Sequence, residues 1–217
     1  GLWGGEETTQ ATRKRIDWIA DQISGESILD VGCSEGILDI LLARAGKSVV
    51  GVDINVDAQS YGRQLLNNES PQTRKLVELI HGDFLSMELP RGPFDTVVIT
   101  EVIEHLTDPG ALIDRALSCL SPGGQIVITT PFGVMPDPDH RQTFTLTSFL
   151  ELFRPRVTPQ SLAIEGRYIC FVGRLAPVTS SSWREYDERK ILEITERGLL
   201  GVQEILYTRL NALKQRL

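Results

Sequence analysis

Apolar residues over the first 130 positions recur in five short runs that are separated by amphipathic segments. The runs contain ILDV, VVGV, TVVIT and IVITT, which lack strict alternation of apolar and polar residues. Such runs are typical of strands that are covered on both faces, as in parallel sheets. They predict strands over 27–31, 48–53, 77–81, 94–100 and 125–130. The segments between them predict helices over 8–23, 36–45, 56–68 and 109–119, which indicates a βαβ sheet and an α/β fold.

The pattern changes after residue 130. A loop rich in proline and aspartate at 135–140 precedes a short predicted helix at 146–153. Two β-like runs follow at 162–165 and 168–173, and we interpret them as a hairpin. Residues 176–182 read APVTSSS, a composition typical of a linker.

The last segment, 183–217, predicts one long helix. Its apolar positions step by three or four residues, close to a heptad seam, at Leu199, Val202, Leu206, Leu210, Leu213 and Leu217. The helix either packs on its own domain or projects and buries the seam against a second copy or a further domain. The polar linker before it favours projection. We therefore expect a catalytic domain at 1–177, a linker and helix at 178–217, and a homodimer or a further domain as partner.

Composition narrows the class of protein. The chain has 217 residues, of which 41% are hydrophobic, which suffices for one α/β domain with a core. No apolar run approaches the roughly 20 residues of a membrane span. The three cysteines are scattered and the first residues lack a signal-peptide pattern, so we expect a cytoplasmic protein. The net charge of −7 argues against a large nucleic-acid surface, because phosphate binding depends on clustered lysine and arginine.

A glycine-containing turn, ILDVGCSEG at 28–36, follows the first predicted strand. Gly32 allows a sharp turn beside a ligand, and Gly36 allows the next helix to start close to the strand. The second strand ends at Asp53, 17 residues beyond Gly36, where a carboxylate can accept hydrogen bonds from both hydroxyls of a ribose. The third ends in Gly-Asp83-Phe84, an acid and a ring suited to an adenine. Acids at three successive strand ends predict an adenosine-bearing cofactor.

The loop does not have the dinucleotide pattern. A dehydrogenase would show G-x-G-x-x-G, whereas this chain reads D-x-G-x-S-x-G from Asp30 to Gly36. Tyr186 and Lys190 have the spacing of a short-chain dehydrogenase pair, but they lie far beyond the predicted sheet. The sequence also lacks a Walker P-loop. A different adenosine cofactor is therefore favoured.

The sequence resembles the class I S-adenosylmethionine-dependent methyltransferases from residue 8 to about 175. The resemblance is carried by LDVGCSEG, GVDI, GDF, FDTVVITEVIEHL and LSPGGQIVITTP, in this order. It implies a Rossmann-like seven-stranded sheet of order 3-2-1-4-5-7-6, with strand 7 antiparallel, helices on both faces, and S-adenosyl-L-methionine as cofactor. Ser34 stands where the family usually has a glycine, and its small side chain should fit there. The implied cofactor residues are Asp30, Gly32, Ser34 and Gly36 for the methionine part, Asp53 for the ribose, and Asp83 and Phe84 for the adenine.

Methyl transfer is an in-line displacement at an activated sulfonium, so the protein must align the acceptor and remove a hydroxyl proton. Groups for this are expected just after the fourth strand, where the chain reads EVIEH. On a helical turn, the i, i+3, i+4 spacing would place Glu101, Glu104 and His105 on one side. His140 follows the fifth strand in DPDHR. The candidate catalytic residues are His105, His140 and Glu101.

The same region is a candidate site for Mg²⁺ or Mn²⁺, with two carboxylates and two imidazoles as ligands. The four side chains are Glu101, Glu104, His105 and His140. Their arrangement resembles that in the small-RNA 3′-terminal 2′-O-methyltransferases. Those enzymes hold a metal with Glu-x-x-Glu-His and a later His near a phenylalanine, and Phe144 stands near His140 in this chain. The similarity is partial, since Leu106 stands where that family has a second histidine. EVIEHL equally resembles metal-free bacterial O-methyltransferases of quinone precursors, sugars and glycans, and a purely structural role of Glu104 and His105 also remains open.

Three functions follow. The leading hypothesis is O-methylation of a small-molecule or glycan hydroxyl with a histidine as general base. A metal-dependent RNA 2′-O-methyltransferase is second, and the acidic balance argues against it. The third is a non-catalytic assembly module, which the intact acids and Gly32 disfavour. Amine methylation would favour an Asn/Asp-Pro-Pro-aromatic motif where this chain reads TEVI.

Overall fold

The computed structural model describes residues 6–135, 137–154, 156–179 and 181–214, and for 6–11, 205, 209, 210 and 212–214 it describes the backbone alone. Its strands are β1 (Ser27–Val31), β2 (Ser48–Asp53), β3 (Val77–His81), β4 (Phe94–Thr100), β5 (Leu120–Pro131), β6 (Thr158–Glu165) and β7 (Tyr168–Arg174). They form one sheet of order β3-β2-β1-β4-β5-β7-β6. The first five strands are parallel, and β7 is antiparallel to both of its neighbours. The predicted fold class, sheet order and antiparallel strand are confirmed.

The helices are α1 (Glu6–Gln22), α2 (Ile37–Arg44), α3 (Val56–Asn67), α4 (Pro71–Leu76), α5 (Pro109–Ser118), α6 (Leu146–Glu151) and α7 (Glu188–Lys214). The hydrophobic pattern did not predict α4. Ser70 caps this helix by accepting a hydrogen bond from the Thr73 amide at 3.1 Å, and Pro71 occupies its first position. Serine followed by proline is a helix-start signal, but six residues are too short to show apolar periodicity.

Both faces of the sheet are buried, which explains the apolar runs without alternation. Side chains such as Ile28 and Val98 pack under α1 and α2. Their neighbours Leu29 and Val97 point the other way, toward α5, α6 and the C-terminal part of the chain. Each fully buried aliphatic side chain contributes about 1.5–3 kcal/mol to the stability of the fold. The sheet is therefore stable and fixes the positions of the loops at its carboxyl edge.

Two strands are longer than predicted. β5 begins at Leu120 rather than 125, because Leu120 pairs with Phe94 before the register shifts. β6 begins at Thr158 rather than 162, since its polar first residues pair with the end of β7. β6 is an edge strand, so its outer face can be polar and gives no apolar run.

The first half of α7 packs on its own domain. Ile194 is 8% exposed, and a Cβ at Gly198 would collide with Ile164 of β6. Before the helix, Trp183 stacks on Phe171 with ring centroids 6.1 Å apart. This part of the chain therefore does not project.

The leucines of the predicted seam point away from the domain where they are described. Leu199 and Leu206 are 51% and 60% exposed, and Val202 is half-buried. The side chains of Leu210 and Leu213, and the whole of Leu217, lie outside the described residues. Pairing of the seam with a second copy or a further domain stays a prediction. Within the described ranges, no helix has the length and apolar character needed to cross a bilayer.

Candidate active site

A cavity of about 640 Å³ lies at the carboxyl ends of the parallel strands, with α1 along one side. Six of the seven predicted cofactor residues line it: Asp30, Gly32, Ser34, Asp53, Asp83 and Phe84. Gly36 is not among the lining residues; it is the N-cap of α2, with φ at +67°, and a Cβ there would lie 2.8 Å from a methyl carbon of Leu79. The role of the seven residues in cofactor binding stays a prediction.

The loop between β1 and α2 is pinned to β2. Gly32 has φ at +79°, and a Cβ there would collide with Val102, so glycine is required. The amide of Gly32 donates to the Val52 carbonyl at 2.8 Å. Ser34 also has a left-handed backbone, and its amide donates to Asp53 Oδ2 at 2.7 Å. This left-handed backbone explains why the family usually has a glycine at the position of Ser34.

The two acids at the ends of β2 and β3 also organise their own turns. Asp53 accepts the amides of Ser34 and Asn55, each at 2.7 Å. Asp83 accepts the Leu85 amide and the Ser86 hydroxyl, each at 3.0 Å. Each carboxylate oxygen has a second lone pair, so both acids keep acceptor capacity toward the cavity.

The acid at the end of β1 has a different environment. Asp30 is 2% exposed, its Oδ1 has no hydrogen-bond partner, and burial raises its pKa to about 6. An unpaired carboxylate in a low dielectric is costly, and a bound cation would relieve that cost. S-adenosylmethionine carries an ammonium and a sulfonium in its methionine part, so the residues present fit this group.

Glu101 departs from the predicted helical turn. It has φ at +56°, and only Ile103–His105 form a 3₁₀ turn, so Glu101 does not share a helical face with the other two. Its carboxylate pairs with Arg15 of α1 at 2.9 Å and accepts the Thr129 hydroxyl at 3.2 Å. Burial raises its pKa to about 7, against the attraction of Arg15.

Three of the four candidate metal ligands, Glu104, His105 and His140, lie together. One ligand atom from each lies within 4.8 Å of the others. The two imidazole rings meet edge-on with centroids 4.9 Å apart. Glu104 is 1% exposed; its Oε2 accepts the Thr130 hydroxyl at 3.0 Å, its Oε1 has no partner, and burial raises its pKa to about 7. Glu101 is not part of this group.

A second cavity, also of about 640 Å³, adjoins the first through His105. It is lined by His105, Thr107, Pro138, Asp139, His140, Arg141 and Gln142. The amides of Arg141 and Gln142 both donate to the Glu104 carbonyl, at 2.8 and 2.9 Å. The loop after β5 is therefore fastened to the turn that carries His105.

Arg15 and Asp39 were not among the candidate residues that the sequence pattern indicated. Arg15 lines the cofactor cavity together with Thr12, Ile16 and Ile19, a set with helical spacing in α1. That spacing was visible in the sequence, but which surface the helix covers was not. Asp39 lies in the first turn of α2 and is fully buried. An acid three residues after a helix start reads as an ordinary surface residue, so no local signal indicated its burial.

A sheet of this order, with an acid-lined cavity at its carboxyl edge, defines the class I methyltransferase architecture. The pattern of a family described as "Methyltransferase domain" matches residues 6–166. The chain belongs to this methyltransferase family, and the resemblance to the class I S-adenosylmethionine-dependent methyltransferases is confirmed.

Relatives and solved structures agree with this assignment. The chain is 32% identical over 120 residues to a ubiquinone biosynthesis O-methyltransferase of Pseudomonas paraeruginosa, covering 54% of this chain and 50% of that protein. It thus spans about half the length of the curated relatives it matches. A magnesium protoporphyrin IX methyltransferase of Synechocystis has a TM-score of 0.67 at 14% identity, over 80% of this chain and 89% of that one. A geranyl diphosphate C-methyltransferase of Streptomyces coelicolor has a TM-score of 0.68 at 12% identity, over 78% and 82%.

Proposed function

We propose that this chain is an S-adenosylmethionine-dependent O-methyltransferase that acts on a hydroxyl of a small molecule or glycan. The family supports the reaction class, and the curated relatives named above are O-methyltransferases. The observation that carries the proposal is the position of His105, whose side chain borders both cavities. A base at that junction can reach an acceptor hydroxyl on one side while the methyl donor lies on the other.

The hydrogen bond of His105 indicates which nitrogen acts. Its Nδ1 lies 3.1 Å from the Asp139 carbonyl oxygen, an atom that can only accept. In the neutral ring, Nδ1 therefore carries the hydrogen and Nε2 keeps the lone pair. We assign Nε2 as the atom that takes the acceptor proton. Burial lowers the pKa of His140, so this neighbour stays neutral near pH 7 and does not oppose the charge that His105 gains.

The other residues would bind and orient. Bound S-adenosylmethionine would supply a methyl group that is already activated by its sulfonium. Asp30 would face the cationic end of the cofactor, Asp53 the ribose, and Asp83 with Phe84 the adenine. Arg15, paired with Glu101, would hold α1 over the cavity and help to exclude water.

The lining of the second cavity favours a hydroxyl-rich acceptor. Thr107, Asp139, Arg141 and Gln142 present polar side chains, and Pro138 is the one apolar lining residue that the described chain contributes. A carboxylate and a guanidinium on one loop can accept from and donate to neighbouring hydroxyls. This supports a sugar or glycan acceptor over an apolar, prenylated phenol.

The cluster of Glu104, His105 and His140 favours a second candidate function, metal-dependent O-methylation as in the RNA 2′-O-methyltransferases. One carboxylate oxygen and two imidazole nitrogens would suit Mn²⁺ better than Mg²⁺, which prefers oxygen ligands. A metal there would bind the Nε2 that the leading proposal uses as base. The two functions are therefore exclusive at this atom.

Histidine variants test the leading proposal. Methyl transfer from labelled S-adenosylmethionine is measured with methyl hexosides, short oligosaccharides and dihydroxybenzoate as acceptors. His105→Ala should lower turnover about 10²–10⁴-fold and leave the affinity for S-adenosylhomocysteine nearly unchanged. His81→Ala is the matched control: His81 bonds to the Ile54 carbonyl at the end of β3, and neither cavity is lined by it. Full turnover in His105→Ala would rule out the histidine base.

A chelator separates the two candidates. With a histidine base, EDTA leaves turnover unchanged. Loss of turnover in EDTA, with recovery on addition of Mn²⁺ and no recovery in His140→Ala, would replace the leading proposal by the metal-dependent function.

A further inference from the structure

We propose that Asp39 is a positioning residue for the cofactor: its neutral carboxyl donates a hydrogen bond to Asp30 and keeps Asp30 charged toward the cofactor's cationic end. The inference rests on the proposed function in one respect, that Asp30 faces S-adenosylmethionine or its demethylated product.

The two acids lie in adjacent elements behind the cofactor loop. Asp30 is the next-to-last residue of β1 and lines the cavity, whereas Asp39 lies one layer deeper, in the first turn of α2, and has no exposed surface. Gly51 of β2 packs against Asp39; a Cβ there would collide with its Oδ2 and with Cys33 Sγ. The absence of a side chain at residue 51 therefore leaves the space that the buried carboxyl occupies.

Neither acid has another partner that could neutralise it. Asp39 Oδ1 and Oδ2 and Asp30 Oδ1 receive no hydrogen bond from any other group of the described chain. No lysine or arginine within the described ranges forms an ion pair with either residue. Asp30 is paired with Gly51 across β1 and β2, and Asp39 Oδ2 lies where a Cβ of Gly51 would be, so the two carboxyls lie side by side. Two buried carboxylates in contact cannot both be charged, so one proton lies between them.

The surroundings place that proton on Asp39. Burial raises the pKa of Asp39 well above its usual range, and the charge of Asp30 raises it further. Burial also raises the pKa of Asp30, to about 6, with a smaller contribution from Asp53, while the hydrogen bond from Asp39 lowers it. The remaining neighbours are Cys33, whose sulfur faces the same space at Gly51 as the Asp39 carboxyl, and Gln59, whose amide donates to the Cys33 sulfur at 3.1 Å. At neutral pH the pair is thus a carboxylate on Asp30 and a donor on Asp39.

Loss of the hydrogen-bond donor at residue 39 should change the pH dependence of ligand binding, whereas loss of side-chain volume alone should not. Without the hydrogen bond, the Asp30 carboxylate is less stabilised and its pKa rises. A larger fraction of Asp30 is then neutral near pH 6.5, and the ammonium of the ligand is held less well. A variant that keeps a donor at residue 39 should behave as the parent does.

The test is calorimetric titration of the full chain with S-adenosylhomocysteine between pH 5.5 and 8.5. In the parent and in Asp39→Asn, the affinity should fall as the pH drops through about 6. In Asp39→Ala, the pH at which the affinity is half lost should rise by about one unit. Binding of S-adenosylhomocysteine should then be roughly tenfold weaker than in the parent near pH 6.5 and equal to it at pH 8.5. Asp57→Ala, an exposed acid at the start of α3, is the control. A loss in Asp39→Ala that is equal at all pH values, or a moved midpoint in Asp39→Asn, would overturn the inference.

A measurement on the parent protein covers the case in which Asp39→Ala does not fold. At pH 5.5, in buffers of different ionisation enthalpy, binding should release close to one proton as Asp30 becomes charged. A larger proton release in Asp39→Asn, which keeps a donor at residue 39, than in the parent would overturn the inference and leave the proposed function intact. Failure to bind at pH 8.5 would instead contradict the proposed function, and the inference with it.

Discussion

Acidic side chains at the carboxyl edge of the sheet differ in their partners. Asp53 is held by two backbone amides, Glu101 by an arginine, and Glu104 by one hydroxyl with an oxygen left unpaired. The sequence could place these acids beside the site because they follow strand ends. It could not predict their charge, which depends on burial and on partners such as Arg15 that come from distant parts of the chain.

Glu104 should make the stability of the fold depend on pH. Its pKa rises from 4.5 to about 7 on folding, so its contribution is fully present below pH 4.5 and is lost as the pH rises through 7. Glutamine carries no charge and can still accept the Thr130 hydrogen bond. Glu104→Gln should therefore be more stable than the parent at pH 8 by on the order of 1–3 kcal/mol, and nearly equal to it at pH 4.5.

Urea unfolding at both pH values, in EDTA, measures this difference. Glu88→Gln, at an exposed position, is the control and should show no such pH dependence. An equal difference between parent and Glu104→Gln at the two pH values would contradict the assignment of a buried, uncharged Glu104.

Among the elements, the strands that carry the cofactor motifs were the most predictable. β1 to β4 have the bounds that their apolar runs predicted, and both faces of β1, β2 and β4 are buried. The site beyond the cofactor was less predictable. The loop after β5 reaches His105 through backbone hydrogen bonds to Glu104, and α1 reaches Glu101 through Arg15. Neither contact has a local sequence signal, since each joins segments that are far apart in the chain.

The start of the C-terminal segment should be needed for a stable fold. A chain ending at Pro177 would lose Trp183, Tyr186 and Ile194, which all pack on the core. Loss of one large buried aromatic side chain alone costs about 3–5 kcal/mol, a large part of the stability of a typical domain. A chain ending at Gly201 keeps these contacts. We expect a strongly lowered Tm for the shorter chain and a Tm close to the parent for the longer one.

Thermal unfolding of the two truncated chains by circular dichroism decides the point. If the chain ending at Pro177 has the Tm of the parent, the C-terminal helix adds nothing to the stability of the domain. The predicted domain boundary between 177 and 178 would then be correct.

At the scale of the whole molecule, the sheet brings acids from three strand ends to one cavity, and His105 joins that cavity to a polar one. The first cavity is the proposed site of S-adenosylmethionine, and the second is the proposed site of a hydroxyl-rich acceptor. The magnesium protoporphyrin IX and geranyl diphosphate methyltransferases share this fold at 14% and 12% identity, and their names give different acceptors. We propose that the loop after β5 and α1 set the acceptor in this chain, because both line the cavities.

The most direct test of the account is calorimetric titration of the full chain with S-adenosylmethionine and, separately, with NAD. We predict binding of S-adenosylmethionine in the micromolar range, on the order of −8 kcal/mol, and no binding of NAD. Asp53→Ala should weaken that binding by roughly 1–3 kcal/mol, because ribose hydroxyls lose their acceptor, while Asp57→Ala leaves it unchanged. Binding of NAD without binding of S-adenosylmethionine would contradict the account.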